Sequence, residues 1–412
     1  YFSNFVIIIF RNNRNMSQLS DCLNRLSPSA TLAMSQKSIE MREKGIDVIN
    51  MSVGEPDFNT PDHIKMAAIQ AINDNYSRYS PIPGYADLRT AIAKKVEKEN
   101  NVHYKISEIS VANGAKQSVC NAIMALVNAG DEVIIPAPYW VSYPEMVKIA
   151  NGTPVFISAD ITQDFKITAQ QLEDAITEKT KLLILCSPSN PTGSVYSKEE
   201  LEALACVIRS HENLYVVSDE IYEHINYIGA HESIVQFEGM KERTIIVNGV
   251  SKAYAMTGWR IGFMAGPEWI IKGCNKLQGQ YTSGACSVSQ KAALAAYEGE
   301  QQCVETMRLA FERRRNLIVE LGKDIKGLKI NVPQGAFYLF PQCNSFFGKQ
   351  YNNKVICNAD DLAMYLLEEG HVATVSGASF GAPDCFRLSY ATSEENIRKA
   401  MQRIKEALEK LK

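Results

Sequence analysis

What this chain lacks narrows the field first. Its net charge is only −3 over 412 residues, so it carries no basic footprint for a nucleic-acid partner. Histidine is scarce, with six residues, and the ten cysteines are scattered with no CxxC pair. That spacing builds neither a zinc site nor a disulfide framework, and no metal ligand set is read. It fits reduced thiols in a cytoplasmic protein. Long apolar runs are also missing. The longest near the start, Phe5–Phe10, is too short to span a bilayer, and no membrane segment is expected. It lacks the basic flank and small-residue cleavage site of a signal peptide. Residues 1–15 read as an upstream extension, expected to be disordered, with Met16 as the start.

What is present is a core. Apolar residues make up 46% of the chain, enough for one large domain plus a smaller one. Short β-rich runs recur at Ile109–Asn113, Asp131–Ala137, Thr153–Ala159, Lys181–Ser187, Asn213–Glu220 and Arg243–Gly249. Amphipathic stretches lie between several of them, such as Gln117–Val127 and Lys198–Ser210. Near-continuous apolar strands alternating with helices predict an α/β fold, a mostly parallel sheet covered by helices on both faces. The last third differs, with a charged helix over Glu300–Leu321 and another around Ala359–Glu369. This predicts a smaller α+β domain formed from both chain ends. The expected division is 16–60 with the small domain, 61–300 for the large one and 301–412 for the rest of the small one.

In such sheets ligands bind at the carboxyl ends of the strands, and four strand ends here carry unusual residues. Gly114, Ala115, Lys116 and Gln117 open a helix, where free N–H groups can take an anion; glycine there also serves plain backbone geometry. Pro188–Gly193 brackets Asn190 with two prolines, which holds that side chain rigidly or simply makes a turn. Asp219 ends an apolar strand, and a buried carboxylate there needs a partner. A ligand's cationic nitrogen, an arginine or helix-capping N–H groups would each serve. Lys252 follows the last strand, among small residues, with Arg260 eight positions on.

Taken in order, "SVGEPDF" (Ser52–Phe58), "YSPIPGYADLR" (Tyr79–Arg89), "NGAKQ" (Asn113–Gln117), "PAPYWVSYPEM" (Pro136–Met146), "SPSNPTG" (Ser187–Gly193), "SDEIYEHI" (Ser218–Ile225), "GVSKAYAMTGWRIG" (Gly249–Gly262) and "FRLSYATS" (Phe386–Ser393) cover nearly the whole chain. Together they resemble the class I pyridoxal-phosphate aminotransferases of fold type I, in the bacterial-type aspartate aminotransferase branch. The resemblance implies pyridoxal 5′-phosphate as cofactor and a homodimer with shared active sites. It implies that Lys252 forms a Schiff base with the cofactor aldehyde and later carries the proton. Asp219 would pair with the pyridinium nitrogen, and Tyr222 and Asn190 would bond the ring's O3′. Trp140 would stack on the ring. Arg260 and the N–H groups of Ala115 and Lys116 would take the phosphate, with Tyr79 reaching in from the neighbouring subunit.

For the substrate, the resemblance implies that Arg387 grips the α-carboxylate and that the Gly54 backbone assists. The Lys116 side chain would take a second carboxylate; its other reading is a solvated lysine at a pocket rim. Thr31, in "SPSATLAM", matches a position associated with prephenate as an additional acceptor, and reads equally as a helix start. The implied reaction is L-aspartate + 2-oxoglutarate to oxaloacetate + L-glutamate. Arogenate formation from prephenate stays open, as do an aromatic or alanine aminotransferase and a β-lyase on the same scaffold.

Overall fold

The computed structural model describes residues 19–412; the extension expected at residues 1–15 lies outside them. Seven strands form one sheet: β1 (Ile109–Ala112), β2 (Glu132–Ala137), β3 (Thr153–Ser158), β4 (Thr180–Cys186), β5 (Tyr215–Asp219), β6 (Thr244–Gly249) and β7 (Gly262–Ala265). Their order is β1-β7-β6-β5-β4-β2-β3. Neighbours from β6 to β3 run parallel, whereas β7 is antiparallel to both β6 and β1. The alternating strand and helix pattern therefore gives the mostly parallel sheet it predicts. The strand missing from the sequence reading is β7. Its four residues, "GFMA", are too few and too glycine-rich to show a period.

The central strands are apolar throughout because both faces are covered. Val133, Ile135, Leu182, Ile184, Val217 and Val247 face one core, and Ile134, Leu183, Leu185 and Val216 face another. Alternate side chains point to opposite faces. Each fully buried aliphatic side chain contributes ~1.5–3 kcal/mol.

Three helices matter for the site: α1 (Ala30–Glu43), α2 (Ala86–Asn100) and α3 (Ala115–Leu126). α3 begins two residues earlier than the amphipathic pattern starts, so the Gly114 turn leads straight into it. The helix over Lys198–Ser210 falls where the sequence places it. Ser197 and Glu200 close its first turn in a reciprocal capping box.

The smaller α+β domain is built from both chain ends. Helices over Gln302–Lys323, Ala359–Glu368 and Glu394–Glu409 pack a core that also takes in Ile49 and Met51. Ile49–Asn50 pairs parallel with Val372–Ala373. Arg387 lies on the short strand Phe386–Ser389 of this domain.

Candidate active site

A cavity of about 790 Å³ opens at the carboxyl ends of the strands, and both domains line it. β5 delivers Asp219 and the turn after it delivers Tyr222; the loop after β6 delivers Lys252 and Arg260. Ala115 and Lys116 arrive on the first turn of α3, Trp140 after β2 and Asn190 after β4. From the other side come Thr31 on α1, Gly54 and Arg387. Eleven of the twelve residues singled out in the sequence thus share one cavity. The twelfth, Tyr79, is 96% exposed and outside it.

The two ends of the cavity are electrostatically different. At the inner end Asp219 is buried, and its Oδ2 accepts from the Tyr143 hydroxyl at 2.7 Å. Its Oδ1 accepts from the Ile221 N–H at 3.3 Å. Burial pushes its pKa up to about 6, against the pull of these two donors. Of the three partners open to it in the sequence, backbone N–H is present in part and the tyrosine was not foreseen. The Lys252 amine donates to the Gly54 carbonyl at 2.6 Å. Burial pushes its pKa down to about 8; Arg387 and Arg260 push the same way and Glu55 opposes them. Such an amine is neutral in a useful fraction near pH 8, as a nucleophilic lysine must be.

At the outer end the chain makes an anion cradle. The first N–H groups of α3 have no carbonyl within their own helix. Arg260 sits beside them with φ +56°, its Nη1 bonded to the Thr257 carbonyl at 2.7 Å and Nη2 to the Asn113 carbonyl at 3.3 Å. Gly114 has φ +83°, and a Cβ there would run into the Arg260 guanidinium. The glycine is required twice, by conformation and by space. Lys116 turns its ammonium over the Trp140 ring at 5.2 Å. Burial, then the Arg260 charge, push its pKa down, so this ammonium is short of an anion.

Arg387 is buried and held from several sides. Nη1 donates to Asn190 Oδ1 at 2.8 Å and Nη2 to the Ser52 carbonyl at 2.7 Å. The guanidinium lies 4.5 Å from the Tyr338 ring centroid and 4.9 Å from that of Phe380. Its Nε is buried with no acceptor. Tyr222 shares a 2.7 Å hydroxyl bond with Tyr338, and a Cβ at Gly54 would collide with that same Tyr338 hydroxyl. Tyr143 and Tyr338 were missed by sequence reasoning. Tyr143 stands in the same "PAPYWVSYPEM" run, three residues after Trp140, and packs edge-on against it at 5.4 Å. Tyr338, in "GAFYLF", gives no local signal.

A lysine and a buried carboxylate at neighbouring strand ends, an anion cradle and a buried arginine thus line one cavity. The chain belongs to the aminotransferase class I and II family, whose model matches residues 46–404. A bifunctional aspartate aminotransferase and glutamate/aspartate-prephenate aminotransferase of Petunia hybrida is 48% identical over 400 residues, covering 96% of this chain and 83% of that protein. Among solved structures, the aspartate aminotransferase of Rhizobium meliloti superposes with a TM-score of 0.93 at 43% identity, over 96% of this chain and all of that one. The Thermus thermophilus aspartate aminotransferase with maleate gives 0.89 at 41% identity, over 95% and 100%.

Proposed function

We propose that this protein is a pyridoxal 5′-phosphate-dependent aminotransferase. It moves the amino group of L-aspartate to 2-oxoglutarate, giving oxaloacetate and L-glutamate, and takes prephenate as a further acceptor. The observation that carries the reading is that the cavity holding the Lys252 amine is also lined by two cations beyond the phosphate-binding Arg260, namely Arg387 and Lys116. A dicarboxylate satisfies both. The names of the Petunia relative and of the maleate-bound Thermus structure support the same class of substrate. So does Thr31 beside the cavity.

The residues present fit pyridoxal phosphate. Gly114, with no Cβ, leaves room beside Arg260 at the start of α3, and Asp219 is a buried carboxylate that makes no ion pair among the described residues. When bound, the cofactor supplies an aldehyde to capture the amino group and a ring that draws electrons from the substrate Cα. Asp219, aimed by Tyr143, would hold the ring nitrogen protonated. Asn190 and Tyr222 would donate to the ring oxygen, Trp140 would pack on the ring, and Arg260 with the Ala115 and Lys116 N–H groups would hold the phosphate. The Lys252 amine would be the group that binds the aldehyde and, once freed by substrate, the base that carries a proton from the substrate Cα. Arg387 binds the α-carboxylate and orients the Cα–H toward that amine. The Gly54 backbone, bonded to Lys252, closes the site from the small-domain side.

Tyr79, exposed in the single chain, is assigned to the neighbouring subunit's phosphate in a homodimer. The ten free thiols agree with a reducing, cytoplasmic setting. The test is a panel of amino donors against 2-oxoglutarate, oxaloacetate and prephenate. Aspartate with 2-oxoglutarate should give the highest kcat/KM, and prephenate should be consumed with glutamate or aspartate as donor. A clear preference for alanine or an aromatic donor would overturn the substrate assignment.

A further inference from the structure

Behind the cavity wall lies a group of titratable side chains that the chemistry above does not use. Lys95 and Glu99 stand one turn apart on α2, and Glu220, Glu223, His224 and His231 come from the chain after β5. Lys95 pairs with Glu223 and, at 3.2 Å, with Glu99. His224 bridges the same two carboxylates, at 3.0 Å to Glu99 and 3.4 Å to Glu223. Glu220 meets His231 at 3.1 Å and accepts from Ser218 at 2.8 Å, Ser233 at 2.6 Å and Asn100 at 3.4 Å. Glu220, Glu223, Lys95 and His231 keep 7% or less of their side-chain surface. Glu99, Glu223 and His224 gather closely enough to hold a metal ion. The Lys95 ammonium already occupies that role between the two carboxylates.

The placement has a consequence. Asp219 and Tyr222 line the cavity, while Glu220 and Glu223, their immediate neighbours, engage the ion pairs behind it. The segment is pinned from the rear at two points three residues apart. His224 also packs against Tyr254 at 6.4 Å, and Tyr254 stands two residues beyond Lys252. Burying four titratable groups is a poor way to gain stability, since apolar side chains of the same volume do as well. Lys95 and His231 contribute ion pairs, whereas the hydrogen bonds between His224 and Glu99 and from Ser218, Ser233 and Asn100 to Glu220 fix direction, as apolar contacts do not. Burial pushes the Glu220 carboxyl up, yet His231 and the two serines outweigh it and hold it below its ordinary range.

We propose that Lys95, Glu99, Glu220, Glu223, His224 and His231 are positioning residues, an ion network that sets Asp219 and Tyr222 against the cofactor ring. Lys95 is its central cation. The inference rests on the cofactor reading above. Removing that cation lets the 219–224 segment shift, and a shift near 1 Å remote from the chemistry can cost ~100-fold in rate.

The test uses the full-length protein with pyridoxal phosphate, followed by its visible absorption, its dissociation constant and steady-state kinetics. Lys95→Met should lower kcat by roughly 10- to 100-fold and weaken cofactor binding, with KM for aspartate little changed, because Arg387 and Lys116 are untouched. The double variant K95M/E223Q, which removes one charge of each sign and leaves no carboxylate at 223 without its lysine, should regain part of both losses. Should Lys95→Met not fold, Ser233→Ala decides. It removes one bond to Glu220 and should weaken cofactor binding several-fold while leaving KM in place. Unchanged cofactor affinity and kcat in the variant that folds would overturn the proposal. A wild-type protein that gives no visible band with pyridoxal phosphate would instead overturn the cofactor reading itself.

Discussion

The two walls of the cavity are built on different plans. The large-domain wall hangs on strand ends: Asp219, Lys252, Arg260 and the start of α3 all follow directly from one sheet. Their positions are inherited from strand register. The small-domain wall is assembled from chain segments far apart, and its key link is the bond from Arg387 to the Ser52 carbonyl, 335 residues away in sequence. One wall is rigid because the sheet is. The other depends on a few hydrogen bonds and on Tyr338, which touches Gly54, Tyr222 and Arg387 at once. The first wall is suited to hold a cofactor through every turnover, and the second to grip and release a substrate.

Substitutions on each wall test that contrast. Lys252→Ala should abolish the covalent visible band and lower kcat by ~10⁴-fold or more, the scale on which covalent catalysts are lost. Full turnover in that variant would remove lysine from the mechanism. Its amine also makes a pH prediction. With a pKa near 8, cofactor capture should quicken tenfold per unit as pH rises toward 8 and then level off. An ordinary lysine would keep accelerating toward pH 10.5. On the opposite wall, Arg387→Lys loses the fork and its bonds to Asn190 and Ser52. Bonds to charged groups are worth ~1.5–3 kcal/mol, so kcat/KM should fall roughly 10- to 100-fold while the absorption band stays. The smallest effect is expected for Lys116→Ser. KM for aspartate should rise about tenfold, as for one exposed-end charge contact, and KM for a monocarboxylic donor should barely move. Equal changes for both would take the side chain out of substrate recognition. Independently, a dilution series that leaves a fully active monomer would remove Tyr79 from the site.

How much was legible follows the same division. Asp219, Asn190 and Lys252 could be read because an apolar run ending in a polar residue is visible locally. Arg387 and Gly54 have no such context. They came from resemblance, since nothing in either segment says that the two meet. Tyr338 and the ion network escaped both readings. Lys95 and Glu223 are 128 positions apart and look like ordinary helix and loop charges; only folding strips them of water. β7 escapes a sequence reading because four residues are too few to show a period, and its first, Gly262, already closes the lysine and arginine motif.

That short strand has a further consequence. Gly249 and Gly262 face each other in the antiparallel register of β6 and β7, so closely that a Cβ on Gly249 would meet the Gly262 backbone. The stretch between them, which carries both Lys252 and Arg260, is closed at its base like a loop of measured thread. On the proposed reading, it would set how far the Lys252 amine stands from the Arg260 guanidinium. Adding or deleting a single residue there would shift one cation against the other, leaving a protein that still folds its sheet yet grips its cofactor at one end only.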